Sequence, residues 1–130
     1  MTPEQDRALR EHNLCVLGTG RRDGSPQLST VYYHYDGTDI VISATRDRAK
    51  WINAMRQPNV ALVVNDGRKQ IVVYGSASGV PDDPERLRLT RRVREHRGVA
   101  VPDDDTLARE LSEAMRAMLR IVPERVYSND

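Results

Sequence analysis

Asp36-Gly37 stands between two runs with strand character, Gln27–Tyr35 and Asp39–Thr45, and that combination obliges the chain to double back as a β-hairpin. Similar signals recur along the first eighty residues. Arg21-Arg22-Asp23-Gly24-Ser25-Pro26 follows the apolar run Leu14–Thr19, and Asn65-Asp66-Gly67 closes a buried-strand candidate at Val60–Val64. Gln70–Val80 reads as a further strand, β-branched at its start and small-residue at its end. Helices are expected around this set. Pro3–Asn13 has Thr2 as N-cap and proline at the first helical position. Arg46–Gln57 reads as helical until Pro58 forbids continuation. Asp82-Asp83-Pro84-Glu85 opens a helix reaching Arg97 and ended by Gly98. Pro102-Asp103-Asp104-Asp105 opens another, with Leu107, Leu111, Ala114, Met115 and Met118 at helical spacing. Leu119–Val122 is a candidate final strand before Pro123, in a stretch where helix and strand compete. Strands in hairpins with helices at the ends predict a mainly β fold with α additions, as a barrel or an open sheet.

With 130 residues the chain suits one domain, 1–130, and a monomer of this size buries about two-thirds of the surface its unfolded chain exposes. Mean hydropathy of −0.63 and 30% charged residues place it among soluble globular proteins. No apolar run approaches the roughly 18–20 residues of a membrane span. Met1–Arg7 is polar and mixed in charge, unlike a signal peptide, so a cytoplasmic location without membrane association is expected. A net charge of +1 gives no general pull toward nucleic acid. Arg86, Arg88, Arg91, Arg92, Arg94 and Arg97 spread around their helix rather than forming one stripe, which reads as a solvated surface. Cys15 is the single cysteine, excluding an intrachain disulfide, and is expected to be a small buried residue. His12, His34 and His96 show no ligand spacing, so no metal is expected. Gly18-Thr19-Gly20 lacks the further glycine and the helix of a dinucleotide fingerprint.

Chemistry is most legible in Ser43-Ala44-Thr45-Arg46-Asp47-Arg48-Ala49-Lys50-Trp51-Ile52-Asn53. At 3.6 residues per turn, Arg46, Lys50 and Asn53 share one face, with Trp51, Ile52 and Met55 roughly opposite and Arg48 pointing away. Cations in a first turn oppose the helix dipole, at a cost of a few tenths of a kcal/mol each. Together with free backbone N–H groups they make an anion site, phosphate being the natural occupant. The same spacing also describes a solvated face of a surface helix. On the strand before it, Ser29, Val31 and Tyr33 face one side and Thr30 and Tyr32 the other, so hydroxyls there either line a polar slot or are ordinary strand content.

Asp23-Gly24-Ser25-Pro26-Gln27-Leu28-Ser29-Thr30-Val31-Tyr32-Tyr33-His34-Tyr35-Asp36 resembles the second strand of the pyridoxamine 5′-phosphate oxidase-like split β-barrel proteins, in particular their coenzyme F420-using actinobacterial branch. Arg46-x-Arg48-Ala49-Lys50-x-x-Asn53, then Pro58-x-Val60-Ala61-Leu62, is similar to that branch's phosphate-binding turn and helix. The resemblance runs from about Pro3 to Tyr127. It implies a six-stranded split β-barrel flanked by helices, a homodimer with cofactor sites along the interface, and Leu119–Val122 as a barrel strand. It implies Arg46, Arg48, Ala49, Lys50 and Asn53 around the cofactor phosphate, with Ser43 and Thr45 lining its approach. Gln27, Leu28, Ser29 and Thr30 would run beside the ring system. The implied function is hydride transfer from reduced deazaflavin F420 to a small, conjugated organic acceptor. FMN-dependent oxidoreduction and a non-catalytic flavin or deazaflavin carrier are the alternatives. No residue matches a C-terminal substrate-phosphate arginine motif, which argues against vitamin B6 oxidation. No side chain is a convincing catalytic acid; Tyr32 is the candidate proton donor.

Overall fold

The computed structural model describes residues 1–129. Helix α1 (Pro3–Glu11) starts from a reciprocal capping box, in which Thr2 Oγ1 accepts from the Gln5 N–H and the Thr2 N–H donates to Gln5 Oε1. Strands β1 (Leu14–Gly20), β2 (Pro26–Tyr35) and β3 (Ile40–Thr45) follow. Gly37, at φ 96°, makes the β2–β3 turn as its sequence predicts. Helix α2 (Ala49–Arg56), strands β4 (Asn59–Asp66) and β5 (Lys69–Val80), helices α3 (Glu85–His96) and α4 (Asp104–Glu113) and strand β6 (Arg116–Asn129) complete the chain.

All six strands pair antiparallel in a closed barrel, ordered β1-β2-β3-β6-β5-β4. The expected mainly β fold with α additions is therefore the observed one, and closure removes the sheet edges. Alternating residues fill the interior, among them Leu17, Val31, Tyr33, Ile42, Leu62, Ile71, Val73, Leu119 and Ile121. Helix α1 closes one end, where the Tyr33 hydroxyl donates to the Leu9 carbonyl at 2.8 Å. Cys15 is buried as expected, and burial pushes its thiol up to about 12. A second core lies outside the barrel, where Leu89 and Val93 of α3 cover Val41 and Met118.

The structure moves three expected boundaries. Helix α2 begins at Ala49 rather than Arg46, because Arg46–Arg48 form a turn in which the Arg48 N–H donates to the Thr45 carbonyl. Helix α4 ends at Glu113, and Met115 takes φ 56°, an uncommon conformation for a non-glycine residue that reverses the chain. Met118 is then a strand residue. It is buried because α3 covers the outer face of β6, so inner and outer positions are both apolar and mimic helical spacing. Strand β6 also runs past Pro123. Tyr74 pairs with Arg125 but Gly75 with Pro123, leaving Glu124 as the extra residue of a bulge that accommodates the proline. Gly75 permits that close approach: a Cβ there would lie 2.5 Å from the Val122 carbonyl oxygen.

The barrel is split on one side. Strands β2 and β3 pair only through Tyr33–Tyr35 and Ile40–Ile42. Beyond that point Gln27–Tyr32 pair with β1 alone, and Ser43–Thr45 with β6 alone. The gap between these diverging segments is where the candidate residues meet.

Candidate functional site

Two grooves occupy the gap and share Lys50 and Arg116 as a common wall. The first, of about 460 Å³, is lined by Gln27, Ser29, Thr45, Arg48, Ala49 and Lys50 as well as Arg116. The second, of about 280 Å³, runs under α3 between Thr30, Val31, Tyr32 and Ser43 on one side and Thr90, Val93, Arg94 and Arg97 on the other.

The electrostatics of the first groove follow from the start of α2. Arg48 occupies the N-cap position without a side-chain capping bond, and no acidic residue lies in the first turn. The orphan N–H groups there keep their partial positive charge. Lys50 is half-buried, and desolvation first, then Arg116 and Arg48, lower its pKa. Among the described residues neither Lys50 nor Arg116 has a carboxylate partner, and Arg48 meets only Asp47, at 3.9 Å. A half-buried cation held beside two others is relieved by an anion, and the groove supplies cationic and N–H donors for one.

Polar side chains on the opposite wall are fixed by a hydrogen-bond chain. The Asn53 amide donates to Thr19 Oγ1 at 3.2 Å, the Thr19 hydroxyl to Gln27 Oε1 at 3.1 Å, and Gln27 Nε2 to Ser29 Oγ at 2.8 Å. Asn53 is thus buried behind the groove, away from the Lys50 face that the helical wheel assigns it. That wheel is corrected on its apolar side too. Ile52 and Met55 are exposed, while Trp51 packs on the core and against Gly79.

The structure brings Gln27, Ser29, Thr45, Arg48, Ala49 and Lys50 into one groove and Thr30 and Ser43 into its neighbour. Leu28 points outward, 66% exposed, into a shallow apolar groove with Gly18, Ala61 and Tyr74. Arg46 is exposed and lines neither cationic groove; its N–H donates to the Met115 carbonyl at 2.9 Å. Sequence reasoning missed Arg116, which reaches the site only because β6 pairs it with Thr45. Arg94 and Arg97, whose sequence pattern reads as solvated helix surface, line the second groove. Their i, i+3 spacing on one helix face was the available signal. No cluster of three or more potential metal ligands occurs among the described residues, and no helix is long and apolar enough to cross a membrane.

Comparison with known proteins places this geometry in context. The family model described as pyridoxamine 5′-phosphate oxidase matches residues 1–130. Among solved structures, a conserved hypothetical protein from Mycobacterium tuberculosis is 24% identical with a TM-score of 0.84, over 100% of this chain and 85% of that one. A structure described as an F420 reductase is 22% identical with a TM-score of 0.78, over 98% of each chain. An FAD-binding protein from Mesorhizobium loti is 20% identical with a TM-score of 0.71, over 96% of this chain and 89% of that one. At these identities the likeness to solved structures is one of fold.

Proposed function

The chain belongs to the pyridoxamine 5′-phosphate oxidase family, and from that premise we propose that it is an oxidoreductase using reduced deazaflavin F420 to reduce a small, conjugated organic acceptor. The observation that carries the reading is the uncapped start of α2, where Arg48, Lys50 and Arg116 converge on one groove without carboxylate partners among the described residues. A ribityl phosphate fits that donor set. When bound, the cofactor supplies the hydride.

The protein's own residues bind, orient and desolvate. Lys50, Arg48 and Arg116 neutralise the phosphate, and the α2 N–H groups add donors. Gln27 and Ser29, held by Thr19 and Asn53, present fixed polar groups along the ring's path. Ser43 and Thr45 add hydroxyls, and Val31 and Val93 exclude water. Among the described residues no histidine or carboxylate lines either groove and Tyr32 is the one phenol there, so the proton that completes reduction comes from water or from the Tyr32 hydroxyl.

The F420 reductase among the structural neighbours supports the deazaflavin. The FAD-binding neighbour supports a flavin in place of the deazaflavin, and FMN-dependent oxidoreduction is the second reading because FMN also carries a ribityl phosphate. Titration of purified protein with F420 and with FMN, followed by fluorescence quenching, separates the two. Tight FMN binding with no response to the deazaflavin overturns the first choice, and binding without turnover across an acceptor panel makes the protein a carrier.

The reading includes a homodimer. Leu14, Leu28 and Tyr74 stay exposed on the outer face of β1, β2 and β5, an apolar surface of the kind that partners cover. A second subunit there would also wall the cofactor site. Light scattering at micromolar concentration tests this, a monomer with unchanged cofactor affinity being the contrary result.

A further inference from the structure

The groove under α3 carries two arginines that the phosphate does not use. Arg94 of α3 and Arg97 at its C-cap, spaced i, i+3, both line this groove. The Arg97 guanidinium lies 3.7 Å over the Tyr32 ring centroid, a cation–π contact that fixes its plane. Arg97 has no carboxylate partner among the described residues, and Arg94 meets only the exposed Glu110, at 3.7 Å. Lys50 and Arg116 line it too, and among the described residues no acidic side chain does. The rest of the lining is mixed, with Val31, Val93 and the Tyr32 ring beside the hydroxyls of Thr30, Ser43 and Thr90. Four cations around about 280 Å³ repel one another, and an anion of ring size relieves that repulsion. The space lies just under the roughly 300–1,000 Å³ typical of drug-sized ligands, which selects a small molecule.

We propose that this groove is the acceptor subsite and that the acceptor is a conjugated carboxylic acid, its carboxylate forked between Arg94 and Arg97 and its unsaturated carbons against Val31, Val93 and Tyr32. The assignment of the groove as an acceptor subsite rests on the oxidoreductase reading; the acid-binding itself does not. Planar guanidinium groups recognise a carboxylate in two-point contacts that an ester cannot reproduce. The shared wall of Lys50 and Arg116 then places acid and phosphate on opposite sides of the same cations.

Calorimetric titration of purified protein with cinnamate and with methyl cinnamate tests this without any cofactor. The acid is expected to bind at least about tenfold more tightly than the ester, the loss of a single charge-assisted contact being enough for that ratio. Arg94→Gln with Arg97→Gln is expected to abolish the preference. Arg97→Lys retains the charge without the planar fork and is expected to weaken it in part. Arg48→Gln, which alters only the other groove, is expected to weaken inorganic phosphate and leave cinnamate as it was. Equal binding of acid and ester, or an acid preference that survives the double substitution, overturns the proposal. So does a cinnamate affinity that falls with Arg48→Gln as far as phosphate does, since the acid would then occupy the phosphate groove. Failure of the functional reading looks different: both cofactors give no response while the acid still binds.

Discussion

Two arginine-rich regions flank the split side of the barrel, and they use their cations in opposite ways. On the α3–α4 side most of the charges are matched within the protein, with Arg97 the exception among the described residues. Arg86 is almost wholly buried and donates from Nε and Nη2 to the two carboxylate oxygens of Asp83, both at 2.9 Å. Its remaining donors reach the Arg116 carbonyl, the Ala108 carbonyl and the Ser112 hydroxyl. Arg88 pairs with Glu85, and Arg91 with Asp104 at 2.6 Å. At the start of α2, by contrast, Lys50 and Arg116 stand together with no internal anion among the described residues. Density of positive charge is therefore no guide to a binding site. Charge that is half-buried and left unmatched is the better guide, because only a ligand completes it.

The comparison breaks most visibly at Arg86. Arg86→Ala leaves a carboxylate and two carbonyls without their donor, and is expected to destabilise the fold by about 3–5 kcal/mol in urea melts. The Arg86 guanidinium also holds the Asp83 carboxyl below its usual range. That stabilisation is full above the unfolded carboxyl pKa, about pH 4, and is lost as pH falls further. The variant's acid limb should be correspondingly flatter.

Lys50→Ala asks the opposite question. It should cost about 1.5–3 kcal/mol in cofactor affinity, a roughly ten- to hundred-fold loss. The unliganded melting temperature should hold or rise, since a cation leaves both a helix N-terminus and the field of Arg116 and Arg48. A fall in stability with unchanged affinity would make α2 resemble α3.

Arg48→Asp converts one kind of region into the other. An aspartate at the N-cap accepts from the free N–H groups and is expected to add about 1 kcal/mol of stability. The same carboxylate occupies the anion's place, so cofactor binding should fall with it. Unaltered binding in this variant would move the phosphate away from α2.

The smallest effect concerns His34, whose ring packs edge-on against His96 with centroids 5.3 Å apart and whose buried Nδ1 has no hydrogen-bond partner among the described residues. Burial, then His96, Arg92 and Arg10, lower its pKa, while Asp36 pulls the other way. Protonation is thus less favourable folded than unfolded. Stability is full above about pH 6.5 and declines as pH drops below it. Melting curves at pH 7.5 and 5.5 should show a smaller difference for His34→Gln than for the parent chain.

The fold was legible where local chemistry decides it. Thr2, Pro3 and Gln5 announce the start of α1, and Asp36-Gly37 the hairpin. It was illegible where tertiary pairing overrides local pattern. Nothing in the sequence marks Arg48 as an N-cap, so the local pattern places the start of the helix three residues early. Met115 and Met118 extend an apolar period that α4 does not keep, because α3 buries the outer face of β6. Pro123 reads as a strand end, and only its partner Gly75 and the extra Glu124 show how the ladder absorbs it. The candidate site divides the same way. Lys50 and Arg48 lie close together in sequence and were visible, whereas Arg116 arrives from a strand 71 positions beyond Thr45.

That last strand also governs the order in which the barrel can be completed. Strand β6 lies between β3 and β5, and both must wait for it with a row of unpaired N–H and C=O groups. During synthesis at about 5–20 residues per second, the interval between the emergence of Thr45 and Arg116 is on the order of ten seconds. Through that interval the nascent chain presents two templates for strand addition, to a neighbour on the polysome as readily as to itself. Ile40, Ile42, Ile71 and Val73, all interior residues of the finished barrel, lie on those templates. The cell's hold on this protein is therefore weakest before its last strand is made, and a ribosome stalled between β5 and β6 would release the species most prone to aggregate.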